Sequence, residues 1–312
     1  MKPAFSVLFF TVTSGIGYGL MMWLVAMQLL VGRVGEFSHF LIVGFIGLTL
    51  ATLGLLSSSL HLANPKNAWR AFSRFRTSWL SREGVFAVIY YPIVLAYAYL
   101  IFIGGEEISL FPKIIGVLSM LVAFLTVVCT GMIYASLKPI RQWHNPLVTP
   151  LYLLFSLMSG ALAYGVLSLV LSDSLPNASV SIFLVLLGLT FMVKMLYFKS
   201  IGKPEGSTIS SATGFSQVQV RLLDAGHNAD TFLTKEFVFD ASALKLLRLR
   251  WLMIVFAFIV PLTLIIVAHY LSITPAAYVA MMSLYVGLFI ERWLFFAEAR
   301  HVVRLYHGDQ RA

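Results

Sequence analysis

Eight runs of twenty or more mostly apolar residues decide what this chain can become. They fall at about 5–31, 39–62, 84–103, 112–136, 147–171, 179–200, 251–272 and 275–298, and a helix needs about 20 such residues to cross the hydrocarbon core of a bilayer. Inside that core each backbone N–H and C=O has to find its partner within the spanning structure, which favours helices. The expected fold is all-α: a polytopic integral membrane protein with eight transmembrane helices, arranged as two packed four-helix bundles in a single membrane domain over residues 1–312. Only 11% of the residues are charged, about half the share of an ordinary soluble domain. The first run is too long for a signal-peptide core and has no small-residue cleavage site, so it reads as a retained span.

Eight spans put both termini and loops 63–83, 137–146 and 201–250 on one side of the membrane. That side carries eighteen of the 22 lysines and arginines, whereas the opposite loops hold Arg33 and Lys113. The positive-inside rule then places both termini in the cytoplasm, with the chain a multi-pass protein of a bacterial cytoplasmic (inner) membrane. A net charge of +9 does not imply nucleic acid here, because the basic residues sit beside apolar runs. Lipid head groups of the bilayer and a docked protein are the expected counter-charges.

Polar residues concentrate between the second and third runs, in HLANPKNAWRAFSRFRTSWLSRE from His61 to Glu83. An imidazole stands where one apolar run ends and a carboxylate where the next begins, so two proton-active groups return to one membrane face. Such a pair suits proton transfer beside an apolar cleft. The structural alternative is a basic, topology-setting connector in which His61 caps a helix.

Three charged residues lie well inside the runs, away from their first and last residues, and an ionisable group at membrane depth is costly unless paired or able to reach the interface. Lys194 is near enough to the end of span six to snorkel. Glu291 and Arg292 sit deeper, and adjacent helical positions diverge by about 100°, so they are not expected to satisfy only each other. One or both should face the bundle interior, as an inter-helix bond or part of a polar path. Gly15 and Gly19 in span one have the spacing that lets helices approach closely; the G-x-G string there follows no strand and is not a phosphate loop. Pro92 and Pro261 are expected to bend spans three and seven.

The single cysteine, Cys129, cannot by itself hold an iron–sulfur cluster or a zinc finger. Of seven histidines, His144, His227, His301 and His307 lie in loop or tail, and His39 and His269 fall near the face opposite His61. No span carries two histidines at ligand spacing, so no haem and no metal site are expected. Residues 201–250 begin with a flexible stretch, GKPEGSTISSATG, and continue with partly amphipathic segments. About fifty residues exceed a connector and fall short of an independent core, which suggests a cytoplasmic docking loop for a soluble subunit.

The string His61-Leu62-Ala63-Asn64-Pro65, with the Arg/Ala/Phe-rich loop and Ser81-Arg82-Glu83 after it, resembles the H-L-G-x-P … S-x-E segment of the membrane anchor subunit of dimethyl sulfoxide (DMSO) reductase. CTGMIYASLKPIRQWHNP at 129–146 and ERWLFFAEARHVVRLY at 291–306 are similar to one branch of that family, the anchors of cytoplasmic-facing sulfite dehydrogenases. The resemblance implies a heterotrimer of this anchor, a four-cluster iron–sulfur subunit and a molybdopterin catalytic subunit. The anchor would exchange electrons with ubiquinone or menaquinone, usually without haem. The family's functional histidine and glutamate carry over to His61 and Glu83. A departure stands in the last span: the family's G-E-x-x-x-R reads Gly287-Leu288 here, with a glutamate only at 291.

On that reading Trp69 and Trp79, with Phe72 and Phe75, either wall a quinone head-group pocket or act as interfacial anchors. Arg70, Arg74, Arg76 and Arg82 would pair with the iron–sulfur subunit or with lipid phosphates. The leading expectation is a quinone-reactive anchor carrying electrons from sulfite oxidation to the quinone pool. Alternatives are the anchor of a DMSO or related S/N-oxide reductase oxidising quinol, a passive anchor, and a secondary transporter. Against the last, no internal sequence repeat or matched pair of broken helices is visible.

Overall fold

A computed structural model describes the chain except residues 33–36, 60–64, 105–107, 174, 203–205, 216–219, 225–238, 240, 308 and 312. Among the described residues eight helices are long and apolar enough to cross a membrane: α1 Phe5–Val31, α2 Phe37–Ser59, α3 Trp79–Ile103, α4 Leu110–Ala135, α5 Val148–Ser172, α6 Asn177–Ile201, α7 Ala243–Tyr270 and α8 Thr274–Ala297. Among the described residues there are no strands, only isolated bridges joining Ile140 to His301 and Thr208 to Arg311.

The helices divide into α1–α4 and α5–α8. In the first half α1 packs on α2 and α4, and α3 on α4; in the second, α5 packs on α6 and α8, and α7 on α8. The halves meet along α1 and α5, with α4 reaching α5 and α8 reaching α1. Burial follows this plan: 78% of the most apolar window of α1 and 72% of that of α5 are buried, against 28% in α3. The outer helices keep their apolar faces for lipid.

The α1/α5 seam is close because glycines line it. A Cβ on Gly160 would collide with the carbonyl carbon of Gly19, and one on Gly19 would collide with the carbonyl oxygen of Ser156. Two side chains cross the same seam: Ser156 Oγ donates to the Gly15 carbonyl (2.6 Å) and Trp23 Nε1 to the Leu157 carbonyl (2.8 Å). The expected Gly15/Gly19 pair is therefore unequal, since a Cβ on Gly15 would meet nothing within 4 Å. Gly19→Ala should cost about 1–3 kcal/mol by forcing the backbones apart, whereas Gly15→Ala should be neutral or slightly stabilising. Thermal melts of the two purified variants compare them directly.

Two helices begin earlier than their apolar runs. The Ser78 side chain accepts from Ser81 N and starts α3 at Trp79, so Arg82 and Glu83 lie within its first turns; Ser242 likewise starts α7 at Ala243. Hydropathy marks the lipid-exposed stretch, while a capping hydroxyl sets where the backbone starts to coil. Pro261 follows a π-helical turn over Val255–Ile259. Pro92 lies inside α3 without ending it.

At one end of the bundle the termini and loops are tied together. The Met1 ammonium donates to the Ala299 carbonyl (2.7 Å), Val302 N to the Pro139 carbonyl (3.2 Å), and Ile209 N to the Gln310 carbonyl (3.2 Å). Much of the expected docking loop 201–250 lies outside the described residues. Its described part includes the short helix Ile209–Thr213, joined to the C-terminal tail through Thr208 and Arg311.

Candidate functional site

Glu83 sits four residues into α3, about 6 Å from its start, and is 4% exposed. Its carboxylate accepts a hydrogen bond from Thr130 Oγ1 on α4. Tyr18 of α1, Tyr134 of α4 and Tyr152 of α5 lie within electrostatic reach of it, and Cys129 is close too. A carboxylate held by a neutral hydroxyl, with no cation among the described residues hydrogen-bonded to it, can both release and accept a proton. That separates it from a structural ion pair.

His61, its expected partner, lies outside the described residues. The segment between them includes a 3-10 helix, Pro65–Arg74, whose charged side chains and Trp69 point outward. Trp69 is 66% exposed, and Arg70, Arg74 and Arg76 are exposed as well. Phe72 lies against Gly84, and Phe75 packs edge-on to Phe86 at 5.9 Å, so these rings seat the segment on α3. Arg82 also makes contacts within the chain: Nε donates to the Phe75 carbonyl (3.0 Å), Nη2 to the Arg76 carbonyl (2.7 Å), and the guanidinium covers the Trp79 ring at 4.1 Å. It holds the loop onto α3, and Trp79 is its platform.

The second polar group lies in the other half of the bundle. Lys194 Nζ of α6 contacts Glu291 Oε1 of α8 at 2.6 Å, and Arg292 Nε bonds Glu291 Oε2. All three are buried, Lys194 1% exposed, which overturns the expectation that its ammonium snorkels to the interface. A carboxylate one helix away pairs it more effectively than a stretched side chain could. The expectation that Glu291 and Arg292 do not satisfy only each other holds, since Glu291 also binds Lys194. Arg292 lies over Tyr152 at 4.0 Å, and Lys194 lies over Tyr197 and Phe198 at 4.6 Å each.

Glu83, Thr130, Lys194 and Glu291 are four to seven residues from the ends of their helices at this one end of the bundle, so the two groups share a layer. Between them, where α1, α4, α5 and α8 meet, lies a small cavity of about 30 Å³ whose wall includes Tyr18, Thr130, Tyr152, Ser159 and Arg292. Nearer the other end, Met22, Trp23, Ala26, Met120 and Phe124 line an apolar groove of about 680 Å³. Trp23 spends its N–H on Leu157, so the groove suits a hydrocarbon chain more than a polar head group. Among the described residues no group of three or more His, Cys, Asp or Glu side chains is placed to hold a metal ion.

The stretches at 129–146 and 291–306 meet in space. Tyr134, Trp143, Tyr152, Phe295 and Phe296 form one aromatic cluster, with Trp143 stacked on Phe295 at 5.6 Å and its Nε1 donating to the Phe295 carbonyl (2.9 Å). Burial pushes the His301 imidazole below its ordinary pKa, and its Nδ1 accepts from Val303 N (3.0 Å). Sequence reasoning did not single out Thr130 or Tyr152. A hydroxyl in an apolar run is too common to stand out, and only its neighbours on other helices give it meaning.

A bundle of eight helices long and apolar enough to cross a membrane defines an integral membrane protein. The family model for the DMSO reductase anchor subunit (DmsC) matches residues 1–297, and the chain belongs to that family as a membrane anchor subunit. It is 33% identical to a sulfite dehydrogenase subunit of Allochromatium vinosum, over 98% of this chain and 99% of that protein. No solved structure matches it.

Proposed function

We propose that this chain is the quinone-reactive anchor of a heterotrimeric molybdopterin iron–sulfur oxidoreductase that passes electrons from sulfite oxidation to the quinone pool. The balanced reaction is sulfite + water + quinone → sulfate + quinol. The partner subunits supply the molybdopterin and iron–sulfur clusters, and this chain supplies the quinone site and its proton handling. The observation that carries the reading is Glu83, a buried carboxylate hydrogen-bonded to a neutral hydroxyl where α3 leaves the basic loop. A quinone taking up two electrons also takes up two protons, and a carboxylic acid within hydrogen-bond reach can deliver one of them. His61 would serve the second oxygen. The exposed Arg70, Arg74 and Arg76, with loop 201–250, would receive the iron–sulfur subunit on the cytoplasmic side of a bacterial inner membrane. The relative's name favours sulfite over DMSO as the substrate.

The complex purified in mild detergent should retain the two soluble subunits and reduce a water-soluble quinone analogue with sulfite. It should not oxidise the corresponding quinol with DMSO. The reverse pattern of substrates would make the chain an S-oxide reductase anchor, and isolation of the chain without soluble partners would favour a transporter.

A further inference from the structure

The small cavity between the halves has an uneven set of polar walls. Among the described residues the hydroxyls of Tyr18 and Tyr152 and Nη1 of Arg292 are buried and make no hydrogen bond of good geometry, although Thr126 lies near Tyr18 and Arg292 near Tyr152; their residues are 2%, 6% and 5% exposed. All three belong to residues lining the cavity, together with Thr130, the hydrogen-bond partner of Glu83. Buried donors left unmade are unfavourable. A volume of about 30 Å³ admits roughly two water molecules, at 10–15 Å³ each on this measure, and offers each several partners.

Charge supplies the second observation. Lys194 and Arg292 share one carboxylate, Glu291, so the group carries a surplus positive charge in a layer that water does not freely enter. Across the cavity stands Glu83, and Tyr134 and Tyr152 lie within electrostatic reach of both Glu83 and Arg292. Taken together, Glu83, Lys194, Glu291 and Arg292 sum to zero when both carboxyls are ionised.

We infer that the cavity is a water-binding site whose water joins Glu83, through Thr130, to Arg292, so that the Glu83 carboxylate is the counter-ion of the surplus charge on Lys194, Glu291 and Arg292. Thr130 is suited to the link: its one hydroxyl hydrogen has Glu83 and the Thr126 carbonyl (3.0 Å) as acceptors, and its oxygen lone pairs remain available to accept from water. Charge balance then spans the seam between the two four-helix bundles. A proton arriving at Glu83 upsets that balance, and Arg292 acts as a positioning residue for the carboxylate. The inference does not depend on quinone as the substrate, because its readouts are stability and bound water.

The test is a double-mutant cycle on the assembled complex, with Glu83→Gln, Arg292→Gln and the pair, each melted in the same detergent. Each single variant should melt below the parent, and the double variant above the lower of the two singles, because the double restores neutrality. Losses that simply add would overturn the inference. Should Arg292→Gln fail to assemble, Lys194→Gln with Glu83→Gln forms an equivalent neutral pair and the same criterion applies. A cryo-electron-microscopy map of the complex fine enough to show water should contain density between Thr130 and Arg292; a dry cavity would overturn the inference independently.

Discussion

Glu83→Gln should lower quinone-linked turnover of the assembled complex by at least ~100-fold, the usual scale for removing a positioned proton donor. Sulfite oxidation with an artificial acceptor that draws electrons from the soluble subunits should stay close to the parent rate. Glutamine keeps the shape and can still accept from Thr130 Oγ1, but it carries no exchangeable acid proton. Because Glu83 is buried at 4% exposure, a bulk water cannot readily take its place. Paired assays, sulfite to quinone and sulfite to the artificial acceptor, separate the proton step from assembly. Equal quinone rates in variant and parent would leave the chain a passive anchor.

Glu291→Gln should be the most damaging single change to stability. It removes the one carboxylate shared by Lys194 Nζ at 2.6 Å and by Arg292, and leaves two buried cations on adjoining helices without their bridge. Breaking a buried ion pair by deleting one partner typically costs ~3–5 kcal/mol, a large part of the ~5–15 kcal/mol that holds a typical domain together. The yield of intact complex from membranes should fall severely, and what remains should melt at least several degrees lower. A yield and melting temperature like the parent's would mean that Glu291 contributes little to holding α6 on α8.

Both predictions concern residues visible in the sequence, but unequally. Glu83 stood out because a carboxylate marked the edge of an apolar run beside an arginine-rich loop, and the family resemblance sharpened that mark. Glu291 and Arg292 stood out because charge at membrane depth needs an explanation. Lys194 was legible as a charge and misread as a snorkelling one, since its distance from the helix end fits either outcome. Arg82 was grouped with its exposed neighbours, yet its donors turn inward to the loop carbonyls.

What the sequence by itself determined is the class and the plan. Eight apolar runs allow few folds other than a helical membrane bundle, because a bilayer leaves no other way to satisfy so much backbone, and the charge bias gives that bundle an expected orientation. Tertiary structure alone decided which polar groups meet. Thr130 and Glu83 are 47 residues apart and Lys194 and Glu291 are 97 apart. The first contact depends on how α3 packs on α4, and the second on how α6 and α8 are both held beside α5. Hydropathy records how each helix meets lipid, whereas the site is made where helices meet one another, and that depends on backbone approach that no single run encodes.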